Sequence, residues 1–441
     1  MNLFALLQRR ADAGRPVRVA LVGAGKFGSM FLAQIPHTPG LEIAIIADLS
    51  PARARAACEA VGWSAERIAA TAFTEDAAAA VARPEVEVVV EATGNPAAGI
   101  RHARAAIAAG KHLVMVNVEA DVLAGPLLAR EAAAAGLVYS LAYGDQPALI
   151  CEMVDWAKSI GMTVVAAGKG TKYLPDYHAS TPETVWGHYG LTPEAAAAGG
   201  MNPQMFNSFL DGTKSGIEMA AVANATGLAV PSDGLAFPPC GVDDLPRVLR
   251  PRQEGGALET PGQVEVISSL ERDGRPVFRD LRWGVYVVFE APNPYTARCF
   301  REYGLVTDPS GTRAALYKPY HLIGLELGIS VLSAALRGEA TGAPTGFRGD
   351  VVATAKRDLA AGEELDGEGG FRVWGKLMPA AESLALGGLP IGLAHGVTLT
   401  RPVAAGAPVT WADVALDAGE ESYRARRDME AAFAPRAAAA Q

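Results

Sequence analysis

Little in this chain would cross-link it, bind a metal or carry it into a membrane. Its four cysteines, Cys58, Cys151, Cys240 and Cys299, lie far apart and form no CxxC pair. That pattern argues against a disulfide framework or a thiolate zinc site and for buried thiols in a reducing compartment. His178 and His188 share one stretch, but their spacing matches no compact zinc pattern, so no metal is expected. Positive charge is short as well: 39 Lys and Arg stand against 48 Asp and Glu, a net charge of −9. Nucleic acid and anionic membrane surfaces are therefore poor candidates as main partners. No apolar run approaches the roughly 20 residues that a membrane helix needs. The opening "MNLFALLQRRADAGRP" has neither the core nor the cleavage site of a signal peptide. A soluble, cytoplasmic protein without a membrane partner is expected.

What the chain does have is length and a regular alternation. With 441 residues, half hydrophobic and a fifth charged, it is long enough for two or three globular domains. From Val17 onward, "VRVALVG", "LEIAIIAD", "VEVVVEATG", "HLVMVNV" and "LVYSLA" are strand-like runs separated by alanine-rich helical stretches. Near-continuous Val/Ile strands with helical crossovers predict an α/β fold, a doubly wound parallel sheet over residues 1–161. The texture then changes, and residues 162–345 read as an α+β substrate domain. It would contain a strand at "MTVVAAGKG", one helix over Leu210 to Gly227, and a hairpin from "QVEVISSLE" through "RDGR" to "PVFRDLRWGVYVVFEA". A helix over 320–338 would return the chain to the first domain. Within 346–441, "KRDLAAGEEL" is echoed 44 residues later by "TRPVAAGAPV", which predicts a small pseudo-symmetric β-domain. After Asp417 a charged, then alanine-rich tail reads as a frayed helix.

The first strand ends in "GAGKFG", a GxGxxG with Gly23, Gly25 and Gly28 around Lys26 and Phe27. In a strand–turn–helix setting these glycines allow a tight turn, close approach to a pyrophosphate, and helix–strand packing. Asp48 follows Gly28 by twenty residues at the end of the next strand, where an acidic side chain takes a ribose 2′-OH. Asp48 favours NAD, while Arg53 and Arg55 leave a 2′-phosphate, and so NADP, open. Gly94 and Asn95 in "EATGNP", and Asn117 and Glu119 in "VNVEAD", end further strands at the edge where the nicotinamide half is expected. The alternative for Glu119 and Asp121 is a carboxylate favoured at a helix N-terminus.

In the second domain, "AAGKGTKYLPDYH" sets Lys169 and Lys172 in a Gly-flanked loop. The flanking glycines point to close approach of something anionic or polar, and a lysine there suits proton donation to a substrate oxygen. Asp145 in "YGDQPAL" is either a substrate contact or a helix N-cap. Asn207 and His321 are further candidate substrate contacts, with a local structural role open for His321. At 100° per residue Asp211, Lys214, Ser215 and Glu218 form a narrow polar stripe on an otherwise apolar helix. Such a stripe faces a cleft, or else Lys214 and Glu218 are a simple i,i+4 pair.

Taken together, "VNVEAD", "AAGKG", "DGTK", "IEMAA" and "NATGL" resemble the oxidoreductases called deoxyxylulose-phosphate-reductoisomerase-like, relatives of the homoserine dehydrogenases. The resemblance implies a C-terminal SAF domain of β-clip fold, matching the echoed "AAGE" and "AAGA" units, and use of NADP. It also implies that Lys214, with Asp211, matches the catalytic lysine of homoserine dehydrogenases and its acidic neighbour. Those enzymes carry Asn-Lys where this chain has Asn117 and Val118, and the acidic metal motif of authentic reductoisomerases is absent.

The expectation is an NAD(P)-dependent oxidoreductase, or oxidoreductase-isomerase, acting on a CH–OH group of a small polyhydroxylated or phosphorylated substrate. A sugar acid, a sugar phosphate or a deoxyxylulose-phosphate-like ketose would qualify. Lys169 or Lys214 would serve the reacting oxygen, Asp211 and Glu218 would orient the lysine, and Lys172 would hold an anionic group. A homoserine dehydrogenase and a non-enzymatic dinucleotide-binding regulator are the alternatives. A homodimer or homotetramer is the expected assembly.

Overall fold

The structure, a computed structural model, describes residues 2–434. The end of the expected tail, 435–441, lies outside the described residues. Two compact units result: residues 2–152 with 321–345 and 424–429, and residues 153–320 with 346–423 and 430–434.

The first unit is built on a six-stranded parallel sheet. Its strands are β1 (Val17–Val22), β2 (Leu41–Ala47), β3 (Ala72–Thr74), β4 (Val88–Glu91), β5 (His112–Met115) and β6 (Tyr139–Leu141). They run in the order β3-β2-β1-β4-β5-β6, so the strand order reverses between β1 and β4. The crevice at such a reversal is where doubly wound sheets bind ligands. Val19, Leu21, Val88, Val90 and Val114 are fully buried because helices cover the sheet. The helices begin on side chains suited to the task. Ser50, Ser64, Asp76, Asn95 and Asn117 each accept a hydrogen bond from a first-turn N–H. The predicted helix 320–338 is shorter, Gly328–Arg337. Its Val331 and Leu332 join Leu7 and the sheet residues in one core, within the first unit.

In the second unit, β7 (Thr163–Thr171), β8 (Gln263–Ser268), β9 (Val285–Glu290) and β10 (Arg313–Lys318) form a mixed sheet in the order β10-β9-β7-β8. The hairpin expected across "RDGR" forms only at its turn, where Leu270 bridges Pro276 antiparallel and the Glu271 and Val277 N–H groups donate to the Arg275 and Ser269 carbonyls; β8 and β9 themselves do not pair. β7 lies between β8 and β9, parallel to the former and antiparallel to the latter. Its glycines explain the insertion. A Cβ on Gly168 would stand 1.8 Å from the Glu265 carbonyl oxygen, and one on Gly170 2.0 Å from that of Leu281.

Residues 349–415 make two small antiparallel ladders. β11 (Gly349–Ala355) pairs with β13 (Val373–Pro379), and β12 (Glu364–Asp366), β14 (His395–Leu399) and β15 (Val414–Ala415) form the other. The sequence echo is a real pseudo-two-fold. Leu359 and Val403, equivalent in the two copies, exchange backbone hydrogen bonds with each other. The Gly362 N–H donates to Leu399 and the Gly406 N–H to Ala355, again equivalent pairs.

Two carboxyls are buried in these units against neutral hydrogen-bond donors. Asp121 accepts the Tyr139 hydroxyl at 2.8 Å, and Glu265 accepts the N–H groups of Ala236, Phe237 and Val266. Burial pushes both up to about 7, from 3.8 and 4.5. A folded-state pKa above the unfolded one means the folded chain holds the extra proton across that window. Stability from these groups is thus present at low pH and falls as pH rises from about 4 to 7. Asp121→Asn should flatten that fall in Tm, followed by circular dichroism across the same pH range.

Candidate functional site

The glycine loop after β1 has the form a dinucleotide requires. Gly23 adopts φ +96°, and a Cβ there would strike the Ala92 carbonyl oxygen at 2.7 Å. Gly25 is the N-cap of the Lys26–Gln34 helix, with no side-chain cap, and the space beside its Cα is open. A pyrophosphate fits a helix N-terminus left bare in this way. Asp48 closes the loop: its carboxylate accepts the Ala24 N–H at 3.0 Å, the Ser50 N–H at 2.9 Å and the Arg53 guanidinium at 3.0 Å. Burial works against its charge, but these donors outweigh it and hold the carboxyl below its usual value. Arg55 stacks over Phe73 at 4.1 Å.

The side chains of Asn95 and Asn117 are engaged by the fold. Each caps a helix, and the Asn117 Nδ2 donates to the Asn95 carbonyl at 2.9 Å. Gly94, at φ +70°, makes the turn between β4 and the Pro96–Ala108 helix. Glu119 falls in the first turn of the Val118–Ala134 helix, and Asp145 precedes the Gln146–Ser159 helix, accepting the Gln146 N–H. His321 lies in the irregular stretch before Gly328.

In the second unit the polar stripe is not one helix. A helix over Pro203–Leu210 ends at Asp211, Gly212 turns the chain at φ +91°, and a second helix runs over Thr213–Thr226. Asp211 therefore leaves the stripe, while Lys214, Ser215 and Glu218 stay on neighbouring positions of the second helix. Lys169 is in mid-strand rather than in a loop, and its flanking glycines serve strand packing. Its ammonium forms a buried ion pair with Glu218, which joins β7 to the helix interior.

Asp211 pairs with a residue from far along the chain. Lys356 donates to the Asp211 Oδ2 at 2.8 Å and to the carbonyls of Ser180 and Gly370, each at 2.7 Å. The two side chains are 2% and 0% exposed. The Asp211 Oδ1 accepts the Thr213 N–H at 2.9 Å, fixing the start of the Thr213–Thr226 helix. Burial pushes the Asp211 carboxyl up, against the pull of Lys356. His178 completes the corner. Its Nδ1 donates to the Asp211 carbonyl at 2.7 Å, its Nε2 meets the Tyr173 hydroxyl at 3.0 Å, and its ring stacks on Trp374 at 4.0 Å. Burial lowers its pKa, so the ring is neutral. Among the described residues, no group of three or more His, Cys, Asp or Glu side chains gathers as a metal site would need.

Three stretches match known families. Residues 17–116 match the oxidoreductase family GFO/IDH/MocA, an NAD-binding Rossmann fold, and residues 144–327 match the catalytic domain of oxidoreductase DRL. Residues 350–415 match the SAF domain. The chain is an NAD(P)-binding oxidoreductase. Among solved structures it is similar to a homoserine dehydrogenase from Thiobacillus denitrificans, at 16% identity and a TM-score of 0.43 over 73% of each chain. A probable dehydrogenase from Thermotoga maritima is 14% identical, with a TM-score of 0.39 over 74% of this chain and 90% of that one. An oxidoreductase from Klebsiella pneumoniae is 18% identical, with a TM-score of 0.37 over 74% and 87%. No curated protein matches the chain.

Two of the oxidoreductase's expected substrate contacts are occupied by the fold. Asn207 is fully buried, accepts the Ser180 hydroxyl, and donates to the carbonyls of Ser180 and Gly369. Lys172 donates to the His188 carbonyl and lies 5.5 Å from the centre of the Tyr189 ring. Burial, with Arg282 nearby, lowers its pKa. Lys356 was not foreseen. Its one signal was the break in the echo, a lysine where the second copy has Thr400.

Lys356→Met should destabilise the oxidoreductase by about 3–5 kcal/mol, because it strands a buried carboxylate. The double variant Lys356→Met/Asp211→Asn should recover much of that loss in urea unfolding. Asp48→Asn should weaken NADH binding about tenfold by loosening the Ala24 turn, as read by fluorescence titration.

Proposed function

We propose that this oxidoreductase interconverts a CH–OH group and a carbonyl on a small polyhydroxylated or phosphorylated substrate, with Lys169 as proton donor and acceptor at the reacting oxygen. The buried Lys169–Glu218 pair carries the reading. An ammonium placed mid-strand and taken out of water is costly to maintain and adds little stability. It is suited to hydrogen-bond a carbonyl oxygen and to give up a proton as that oxygen becomes an alkoxide.

When bound at the Gly23–Gly28 loop, the nicotinamide cofactor supplies or takes the hydride. The chain's own residues do the rest. Glu218 holds the Lys169 ammonium in place and balances its charge. Asp211, kept by Lys356, fixes the start of the helix that bears Glu218. Lys214, one turn before Glu218, is the second candidate for the substrate oxygen. Asp48 supports NAD as the cofactor, and the Arg53 guanidinium held against it keeps NADP in play. Sugar acids, sugar phosphates and deoxyxylulose-phosphate-like ketoses are the substrates of choice.

Turnover of a panel of these compounds with NADH and NADPH tests the reading. With the compound that turns over, Lys169→Met should lower kcat by about 10²–10⁴-fold while NADH affinity stays close to wild type. Full turnover in Lys169→Met would remove the lysine from the chemistry. Cofactor binding with no reduction of any compound would favour a regulator.

A further inference from the structure

We infer that the first turn of the Thr213–Thr226 helix binds an anionic oxygen, the carboxylate or phosphate of the substrate, through Ser215. The inference rests on the function proposed above only in taking that anion to be part of the substrate.

The argument starts from two orphaned donors on one residue. Ser215 is 1% exposed, and among the described residues its hydroxyl has no hydrogen-bond partner. Its backbone N–H stands third in the helix, where no carbonyl of the same helix is in reach. The Thr213 N–H is taken by Asp211 and the Gly216 N–H bonds to the Gly212 carbonyl, but among the described residues no acceptor reaches that of Ser215. Folded chains rarely leave a buried hydroxyl unsatisfied, because losing water without a new partner is costly. Two donors side by side call for an acceptor oxygen.

The surroundings favour a negative one. The helix is 14 residues long and its N-cap is Gly212, so the positive end of the helix is answered only at the Thr213 N–H, by Asp211. Side chains of a helix lean toward its N-terminus, which turns the Ser215 hydroxyl toward the same end as its N–H. The Asp211 carboxylate bonded there is neutralised by Lys356. Ser215 precedes Glu218 by three positions and so shares its face, and Glu218 is neutralised by Lys169. A cavity of about 180 Å³ lies beside Gly212 and Gly216, with Asp233 and Lys376, paired to each other, on its wall; Ser215 adjoins it through its neighbour Gly216 rather than lining it. An anion seated on Ser215 would hold the substrate on the face that carries the Lys169–Glu218 pair.

Ser215→Ala removes a hydroxyl that holds nothing in the fold, so the variant should fold with an unchanged Tm. Calorimetric titration of inorganic phosphate and of acetate into NADH-saturated protein, at ionic strength fixed with chloride, tests the site. The cofactor keeps the probes off the glycine loop. Wild type is expected to bind at least one anion, and Ser215→Ala to bind it at least about tenfold more weakly. Binding of phosphate alone points to a sugar phosphate, and binding of acetate alone to a sugar acid. Equal affinity in wild type and Ser215→Ala, or no binding of either anion, overturns the inference. Failure of NADH to bind would instead strike at the proposed function, and the comparison without cofactor would still decide the anion site.

Discussion

A buried lysine ammonium with three acceptors anchors the start of the Thr213–Thr226 helix. Lys356 spends all three of its N–H donors on Asp211 and the carbonyls of Ser180 and Gly370. With its donors saturated it has no proton to offer a substrate, so its role is positional. Asp211 in turn spends one oxygen on Lys356 and the other on the Thr213 N–H. The orientation of the Thr213–Thr226 helix, and of Lys214, Ser215 and Glu218 upon it, follows from that one carboxylate. The bend that follows β11 in the SAF domain thereby holds the first turn of a helix in the catalytic domain, about 145 residues earlier in the chain.

The second buried pair obeys a different logic. Lys169 sits where β7 is squeezed between β8 and β9, and glycine on either side is the only residue that lets the strands close. Hydrophobic residues of similar volume at Lys169 and Glu218 would serve packing as well or better. A chain that keeps a lysine there, opposite a glutamate from the helix core, retains charge at a location where stability does not ask for it. Chemistry does.

Much of this was legible in the residues, and the gaps have physical causes. The parallel sheet was readable because strands buried on both faces leave continuous Val/Ile runs, and GxGxxG was readable because it sits between a strand and a helix. The pairing of β8 and β9 was not, since an Asp-Gly turn is a local signal and the strand that separates them comes from about a hundred residues earlier. "AAGKG" looked like a ligand loop because glycine reports close approach without saying to what. Here the approach is to the backbone of Glu265 and Leu281. The stripe on Leu210 to Gly227 failed at one residue, where Gly212 breaks the helix and swings Asp211 toward a partner that helical periodicity does not see. Asn95, Asn117 and Asn207 were chemically suited to a ligand, but an amide side chain serves a helix cap or a buried carbonyl equally well.

The break in the internal symmetry is the deepest of these lessons. The SAF domain is a pair of copies that bond to each other at equivalent residues, Leu359 with Val403 and Gly362 and Gly406 with each other's flanking strands. Symmetry of that kind is satisfied by the fold alone and asks nothing of side chains beyond packing. Position 356 departs from it: lysine in one copy, Thr400 in the other. Thr400 instead bonds within its own copy, its N–H to the Asp413 carbonyl and its hydroxyl to that of Ala412. The departure from repeat is thus where the domain stops being a self-contained clip and becomes part of the catalytic domain. In a duplicated module, the residue that differs between copies is the one to examine for what the module does to its neighbour.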